Sequence, residues 1–279
     1  MPDFLSSMAE ASRLRAAEAR SRLSEGLLMR RAAQRSDPPV LRLDAAGFDV
    51  IAELKPASPV AGRLAALETS GTTTHVERAA RYAEAGACAI SVLTEPTVFG
   101  GSLDLLGAVA QAVAVPVLRK DFLVDPYQVA EARDEGASGV LLIARLLAGT
   151  LLDEMLNVAA ELRLFALVEA FDRADLERAI DAASASSGLV LVGVNARDLE
   201  TLTVDPQRLG SLAAAADAGF PFVAESGLRT PEDAAGVAVA GYRAALVGEA
   251  LMREADPRAR LAAMIDAGRR AADAREAVR

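Results

Sequence analysis

The chain has 279 residues and a net charge of −9, and 52% of its residues are hydrophobic. That length and balance fit one globular α/β domain and exclude a disordered chain. The negative charge argues against nucleic acid as a partner, because phosphate binding needs a basic face. No apolar run is long enough for a membrane span and the N-terminus lacks a signal sequence, so we expect a cytoplasmic protein that binds no membrane.

The sequence predicts a helical N-terminal region followed by a longer region in which strands and helices alternate. Residues 6 to 34 have the composition of one or two amphipathic helices, and the prolines at 38 and 39 end them. We therefore expect an N-terminal helical extension over residues 1–47 and one catalytic domain over residues 48–279. The second region contains eight apolar runs of strand length, which we predict to be strands. They are Val50–Leu54, Ala89–Leu93, Val115–Leu118, Gly139–Ile143, Phe165–Val168, Leu189–Val194, Phe220–Ala224 and Ala244–Val247. Helices are predicted between them at Val76–Ala85, Leu103–Ala112, Pro126–Glu135, Leu151–Leu162, Arg173–Ala183, Pro206–Ala216 and Pro231–Ala240.

The strand runs are continuously apolar instead of alternating, which is typical of parallel strands covered by helices on the outside. Eight strand–helix units in a chain of this size predict an α/β fold, the closed (β/α)8 TIM barrel. An open doubly wound sheet is the alternative. Its usual glycine-rich phosphate loop is missing after the first strand.

The chain uses lysine only twice, at Lys55 and Lys120, although Lys and Arg together number 30. Both lysines follow predicted strands. An ammonium group can shift its pKa and exchange a proton, whereas arginine stays charged at any working pH. We interpret the two lysines as catalytic, with two surface lysines kept by chance as the alternative.

The chain has one cysteine and one histidine, which cannot form a Cys/His metal site. We interpret Cys88 as a core residue. We expect His75 at the start of a helix on the surface.

Polar residues stand at seven of the eight predicted strand ends, where a barrel gathers its reacting groups. Each has an ordinary explanation alone: Glu169 could be a solvated carboxylate and Asn195 a turn residue. Together they would converge on one mouth, where Lys120 and Glu169 would tune each other's pKa for acid and base chemistry. Gly227 and Gly248 follow the last two strands, where backbone amides could hold an anion or simply allow tight turns.

These residues form seven motifs that resemble the indole-3-glycerol phosphate synthase family, in order and spacing, from Phe48 to Arg253. The motifs are Glu53-x-Lys55-x-x-Ser58-Pro, Phe99-x-Gly-Ser102, Lys120-Asp-Phe122, Leu167-Val-Glu169, Val194-Asn-x-Arg197-Asp-Leu199, Glu225-Ser-Gly227 and Val247-Gly-Glu-x-Leu-Met252. The resemblance implies a TIM barrel of tryptophan biosynthesis that uses no metal or cofactor. Such an enzyme closes the indole ring of 1-(2-carboxyphenylamino)-1-deoxyribulose 5-phosphate, with loss of CO₂ and water.

The resemblance also implies a role for each matched residue. Lys120 would be the general acid on the ribulose carbonyl and Glu169 the general base, and Glu53 and Lys55 would complete the charged cluster. Lys55 would reach the phosphate or act as a second acid. The implied substrate contacts are polar groups at Ser58, Asn195, Arg197, Ser226 and Glu249, phosphate-binding backbone at Gly227 and Gly248, and ring walls at Phe99, Phe122, Leu141 and Leu199.

The chain departs from the family pattern in its first βα loop, from Pro59 to Gly62, in the stretch from Arg63 to His75, and in its N-terminal segment. A paralogue with the same chemistry in a pathway of secondary metabolism would fit these departures. Two alternatives stay open. One is a class I aldolase in which a lysine forms an imine with a sugar phosphate, and the other is a non-catalytic barrel. The expected partner is a small phosphorylated substrate, and a monomer is the working expectation.

Overall fold

The computed structural model describes residues 3–44, 47–58, 62–63, 72–198, 201, 203–205, 207–213 and 219–277, with residues 58, 62, 63, 72 and 73 described by backbone alone. Eight parallel strands close into a barrel in the order β1-β8-β7-β6-β5-β4-β3-β2. They are β1 Asp49–Leu54, β2 Ala89–Leu93, β3 Val117–Lys120, β4 Gly139–Ile143, β5 Phe165–Ala170, β6 Val190–Asn195, β7 Phe222–Glu225 and β8 Ala244–Val247. The predicted (β/α)8 barrel is confirmed.

Helices precede, connect and follow the strands. Their bounds are α1 Phe4–Arg22, α2 Glu25–Gln34, α3 Thr72–Glu84, α4 Leu103–Ala112, α5 Pro126–Asp134, α6 Leu151–Glu161, α7 Arg173–Ala185, α8 Gln207–Leu212, α9 Pro231–Ala240, α10 Glu249–Met252 and α11 Arg258–Glu276. A 3₁₀ turn spans Ala144–Leu146, and Ala57–Ser58 pairs with Gly62–Arg63 in a short antiparallel hairpin. The sequence analysis did not predict α10 or α11. Residues 206 and 214–216 of the predicted helix Pro206–Ala216 lie outside the described part of the chain.

Alternate strand residues face two separate apolar clusters. In β1, Ile51 packs inside the barrel with Leu118 and Leu167, while Val50 and Ala52 pack outward under the helices. Every residue of β1 is buried. This double burial explains why the strands read as continuous apolar runs.

Helices α5 and α9 each begin at a capping side chain. Asp125 accepts a hydrogen bond from the Tyr127 amide at the start of α5, which has Pro126 in its first turn. Thr230 forms a capping box with Asp233 at the start of α9. Such caps satisfy amides that have no partner within the helix.

The expected surface position of His75 is wrong, because its side chain is buried. One face of α3 packs on the barrel and is buried. This face consists of residues spaced three or four positions apart, namely His75, Arg78, Ala79 and Tyr82. None of the described helices is both long and apolar enough to cross a membrane.

The two N-terminal helices pack on the barrel instead of standing apart from it. Helix α2 packs against α5, and α1 contacts both α5 and the 3₁₀ turn. The division of the chain near residue 48 stays a prediction.

Candidate active site

A pocket opens at the carboxyl ends of the barrel strands. Its polar lining consists of Glu53, Lys55, Lys120, Asp121, Glu169, Asn195, Arg197, Glu225, Ser226, Gly227, Arg229, Gly248 and Glu249. Its apolar lining consists of Leu93, Phe99, Phe122, Leu141, Ile143, Val204, Leu228, Leu246 and Val247. The pocket therefore offers charged and polar groups to an anionic ligand and apolar side chains to a ring.

Lys120, the last residue of β3, stands among three carboxylates. Its Nζ lies 3.2 Å from Glu225 Oε2, 3.3 Å from Glu169 Oε2 and 4.0 Å from Glu53 Oε2. The three glutamates come from β7, β5 and β1, and each is almost fully buried. Only the barrel closure brings them together, because they are separated by up to 172 positions in the sequence.

Two glycines leave the space that these carboxylates occupy. A Cβ added at Gly193 in β6 would lie 2.2 Å from Glu225 Oε1, and one added at Gly248 would lie 2.5 Å from Glu53 Oε1. Neither distance is sterically possible, so any larger residue would displace a carboxylate. Gly248 therefore has a structural task besides the phosphate contact expected from the sequence.

The charges in the cluster shift each other's proton affinity. Burial alone would lower the pKa of Lys120, but the charges of Glu169, Glu225 and Glu53 outweigh it and raise that pKa. Burial raises the pKa of Glu225 well above its usual value, the nearby charge of Glu169 raises it further, and Lys120 offsets only part of this rise. Lys120 is thus held as a cation, and Glu225 tends towards its neutral form.

Lys55 differs from Lys120 in its surroundings. Its Nζ lies 5.2 Å from the centre of the Phe99 ring, within range of a cation–π contact. Burial lowers the pKa of Lys55, although Glu53 opposes the shift, and the positive charges of Lys120 and Arg197 lower the pKa further. Of the two lysines, Lys55 is therefore the one that gives up its proton more readily.

The apolar wall is a set of aromatic and aliphatic side chains. The rings of Phe99 and Phe122 have centroids 6.2 Å apart, and Phe4 of α1 meets Phe122 edge-on at 5.9 Å. Leu141 and Leu5 belong to the same apolar cluster. An aromatic ring in the pocket would lie against this wall.

The opposite wall carries backbone groups suited to an anion. Ser226 and Gly227 follow β7 with φ angles of 68° and 84°, so two successive residues adopt the left-handed conformation. For Ser226 this conformation is strained by ~1–3 kcal/mol, and such strain is concentrated at functional sites. Glu249 does not repel an anion here as strongly as its position suggests, because its carboxylate pairs with Arg253 at 2.8 Å.

The loop after β6 is fixed by its own hydrogen bonds. Asn195 Oδ1 accepts from the Arg197 amide at 2.8 Å, and the Asn195 carbonyl accepts from Arg208 Nη1 at 3.1 Å. The Ala196 amide donates to the Glu225 carbonyl at 2.8 Å. These bonds tie the loop that carries Arg197 to the strand that carries Glu225.

Thirteen of the fifteen site residues predicted from the sequence line this one pocket. The other two are Ser58, whose side chain lies outside the described residues, and Leu199, which lies outside them altogether. The roles assigned to all fifteen stay predictions. Sequence reasoning left out Glu225, Asp121 and Arg229, although Glu225 was visible at the end of a predicted strand.

Within the described part of the chain, no group of three or more His, Cys, Asp or Glu side chains is placed to hold a metal ion. The centre of the carboxylate cluster is occupied by the Lys120 ammonium. The arrangement is suited to proton transfer between an amine, a carboxylate and a bound substrate.

Comparison with known proteins gives one consistent family. The family model described as "Indole-3-glycerol phosphate synthase" matches residues 6–264. A protein named "Indole-3-glycerol phosphate synthase" from Mycobacterium sp. (strain KMS) is 44% identical over 85% of this chain and 84% of its own length. A protein of the same name from Parafrankia sp. (strain EAN1pec) is 46% identical over 81% of each chain. A solved 3-hexulose-6-phosphate synthase shares the fold alone, with a TM-score of 0.59 and 21% identity over 79% of this chain and 99% of its own.

Proposed function

The chain belongs to the indole-3-glycerol phosphate synthase family, and on that premise we propose how its pocket closes an indole ring. It is a carbon–carbon lyase of the tryptophan pathway type. The proposed substrate is 1-(2-carboxyphenylamino)-1-deoxyribulose 5-phosphate, which loses CO₂ and water. The observation that carries the proposal is the Lys120 ammonium within 3.3 Å of Glu169 in a pocket that also has an aromatic wall.

Lys120 acts as the general acid on the ribulose carbonyl. Ring closure places negative charge on this oxygen as the aromatic carbon attacks, and a cation held in a buried site stabilises that charge. The raised pKa of Lys120 keeps the amine charged when substrate binds, and the alkoxide that forms on the carbonyl oxygen is basic enough to take its proton. One positioned acid or base contributes ~10²–10⁴-fold to the rate.

Glu169 acts as the general base, and Glu225 is the neutral member of the pair. Burial and the charge of Glu169 raise the pKa of Glu225, which favours a protonated Glu225. Glu169, whose carboxylate lies 3.3 Å from the Lys120 amine, is the proposed proton acceptor. Loss of CO₂ from the attacking ring carbon restores the benzene ring. Glu169 then removes a proton from the methylene carbon beside nitrogen as the new hydroxyl leaves as water, which completes the aromatic indole.

The remaining residues of the pocket lining bind the phosphate, hydroxyl and carboxylate groups of the substrate and its aromatic ring. Lys55, with Gly227 and Gly248, holds the phosphate or supplies a second proton, and Asn195, Arg197 and Ser226 hold hydroxyl and carboxylate groups. Phe99, Phe122 and Leu141 hold the anthranilate ring and bring its reacting carbon close to the carbonyl. Holding the two reacting carbons close together removes a large part of the barrier to such a cyclisation.

A class I aldolase is the second candidate function. Imine formation needs a neutral amine, and the carboxylates around Lys120 raise its pKa and keep it charged. Lys55, whose pKa is lowered, is the better imine former. Borohydride added with substrate would leave a mass increment on Lys55 if an imine forms, and the synthase proposal expects none.

Formation of the fluorescent indole product tests the proposed function directly. The protein contains no tryptophan, so its own emission does not mask the indole signal. We expect indole fluorescence to rise when substrate is added to the purified protein. A protein that binds substrate but gives no indole product would refute the proposal and favour a non-catalytic barrel. The cytoplasmic location and the monomeric state stay predictions, as does assignment to primary or secondary metabolism.

A further inference from the structure

Helix α1 is fastened to the connection that leaves β3 directly after Lys120 and to helix α5, which follows that connection. Ser12 Oγ accepts a hydrogen bond from Gln128 Nε2 at 2.9 Å, and both side chains are buried. Arg20 makes two hydrogen bonds to the carboxylate of Asp125, at 2.7 Å and 3.0 Å. The helix therefore lies along residues 121–125 instead of projecting from the barrel.

Arg15 lies between these two attachments and reaches two buried carboxylates. Its Nη2 donates to Asp121 Oδ1 at 2.8 Å, and its Nη1 lies 3.8 Å from Glu95 Oε1. The side chains of Asp121 and Glu95 are 1% and 0% exposed. Asp121 follows β3 and Glu95 follows β2, so one guanidinium from α1 bridges two loops of the barrel mouth.

The carboxylate of Asp121 fixes the backbone on both sides of itself. Its Oδ1 accepts from the Phe122 amide and its Oδ2 from Thr94 Oγ1, each at 2.8 Å. The Thr94 amide in turn donates to the Lys120 carbonyl at 3.0 Å. A displaced Asp121 would therefore move both the ring of Phe122 and the backbone that carries the Lys120 amine.

The carboxylate of Glu95 shapes the loop that presents Phe99. It accepts from the amides of Thr97, Val98 and Phe99 at 2.9, 2.7 and 3.0 Å. The Phe99 carbonyl then accepts from the Ala57 amide at 3.0 Å, which ties in the first βα loop. Arg15 thus pairs with the carboxylate that holds the loop presenting Phe99.

We propose that Arg15 is a positioning residue for the reaction, acting through Asp121 and Glu95 on Lys120 and on the Phe99 and Phe122 walls. It does not line the pocket itself. Loss of its guanidinium leaves Arg119, at 3.7 Å, as the described cationic partner of Asp121, and it leaves Glu95 held by the amides of its own loop. The two loops are then no longer tied to each other through α1 and shift relative to the pocket. A displacement of ~1 Å in such a site costs on the order of 10²-fold in rate.

The inference rests on the proposed function and is tested by Arg15→Gln beside the matched control Arg13→Gln. Arg13 lies on the same helix and is exposed, where it pairs only with exposed Glu10 at 3.1 Å among the ion pairs described. Steady-state indole formation is measured well below the unfolding temperature of each variant. We expect Arg15→Gln to lower kcat/KM by ~10²-fold, with a raised KM and a lowered kcat, and Arg13→Gln to match the parent.

The outcomes separate this inference from the function itself. No indole formation by the parent refutes the proposed function, whereas equal KM and kcat in the parent and in folded Arg15→Gln refute the role of Arg15. If Arg15→Gln does not fold, Arg15→Lys decides, since it keeps the charge but loses the forked donor geometry. Arg15→Lys should raise KM several-fold, and an unchanged KM in that variant would overturn the inference.

Discussion

Gly193 provides the most specific steric test of the carboxylate cluster. In Gly193→Ala the new Cβ would lie 2.2 Å from Glu225 Oε1 and 3.2 Å from Leu167 Cδ1, whereas ordinary contact begins at 3.4 Å. The carboxylate must therefore retreat by about 1 Å, which disturbs the geometry of its 3.2 Å contact with Lys120. A shift of that size costs ~10²-fold in rate. Overpacking inside the barrel costs a further ~1–3 kcal/mol of stability.

Steady-state indole formation and thermal unfolding measure these two effects separately. The control is Gly236→Ala in α9, where an added Cβ meets no described heavy atom within 4 Å. That control should leave turnover unchanged and stabilise the helix by ~0.5–1 kcal/mol. If folded Gly193→Ala turned over within twofold of the parent, Glu225 would not need its observed position, and the reasoning about the cluster would fail.

Three further predictions concern stability and pH. Arg269→Ala should lower the free energy of unfolding by ~2 kcal/mol, because buried Asp49 loses its ion pair at 3.0 Å. The loss is limited because the Arg269 side chain is one-third exposed to solvent. An unchanged midpoint of chemical denaturation would contradict this prediction. Thr230→Ala should cost ~1 kcal/mol through the lost cap of α9, with unchanged kcat, as measured by unfolding and turnover. The pKa of Lys55 is lowered by burial, so its charge is present at low pH and is lost as pH rises through that pKa. We therefore expect an alkaline fall in kcat/KM, and Lys55→Arg should move this fall to higher pH; an unmoved fall would assign it to another group.

The fold was predictable because the strands and caps carry local signals, and the errors have local causes. The third and seventh strands were predicted to start at Val115 and Phe220 but start just after Pro116 and Pro221. Proline has no amide proton to donate to a sheet, so each strand begins at the next residue, although the Pro116 and Pro221 carbonyls still accept hydrogen bonds from Ile90 and Val192. At the other end, β5 continues through Glu169, because a polar side chain that faces the barrel mouth is still part of the strand.

The site was predictable in composition but not in contacts. The rule that reacting groups gather at strand ends was enough to bring Lys120 and Glu169 into one pocket. The rule could not show that Gly193 makes room for Glu225, because that contact depends on the register between β6 and β7. Nor could it place Arg15 beside Asp121, since these residues are 106 positions apart and meet only through the docking of α1.

The most direct test of the account is turnover by Lys120→Ala and Glu169→Gln, measured as indole formation beside unfolding curves for both. If Lys120 donates and Glu169 accepts protons during ring closure, each folded variant should lose ~10²–10⁴-fold in kcat. Lys120→Ala should also be less stable than the parent, because three buried carboxylates lose their cation. Near-parent turnover in either folded variant would contradict the assignment of acid and base.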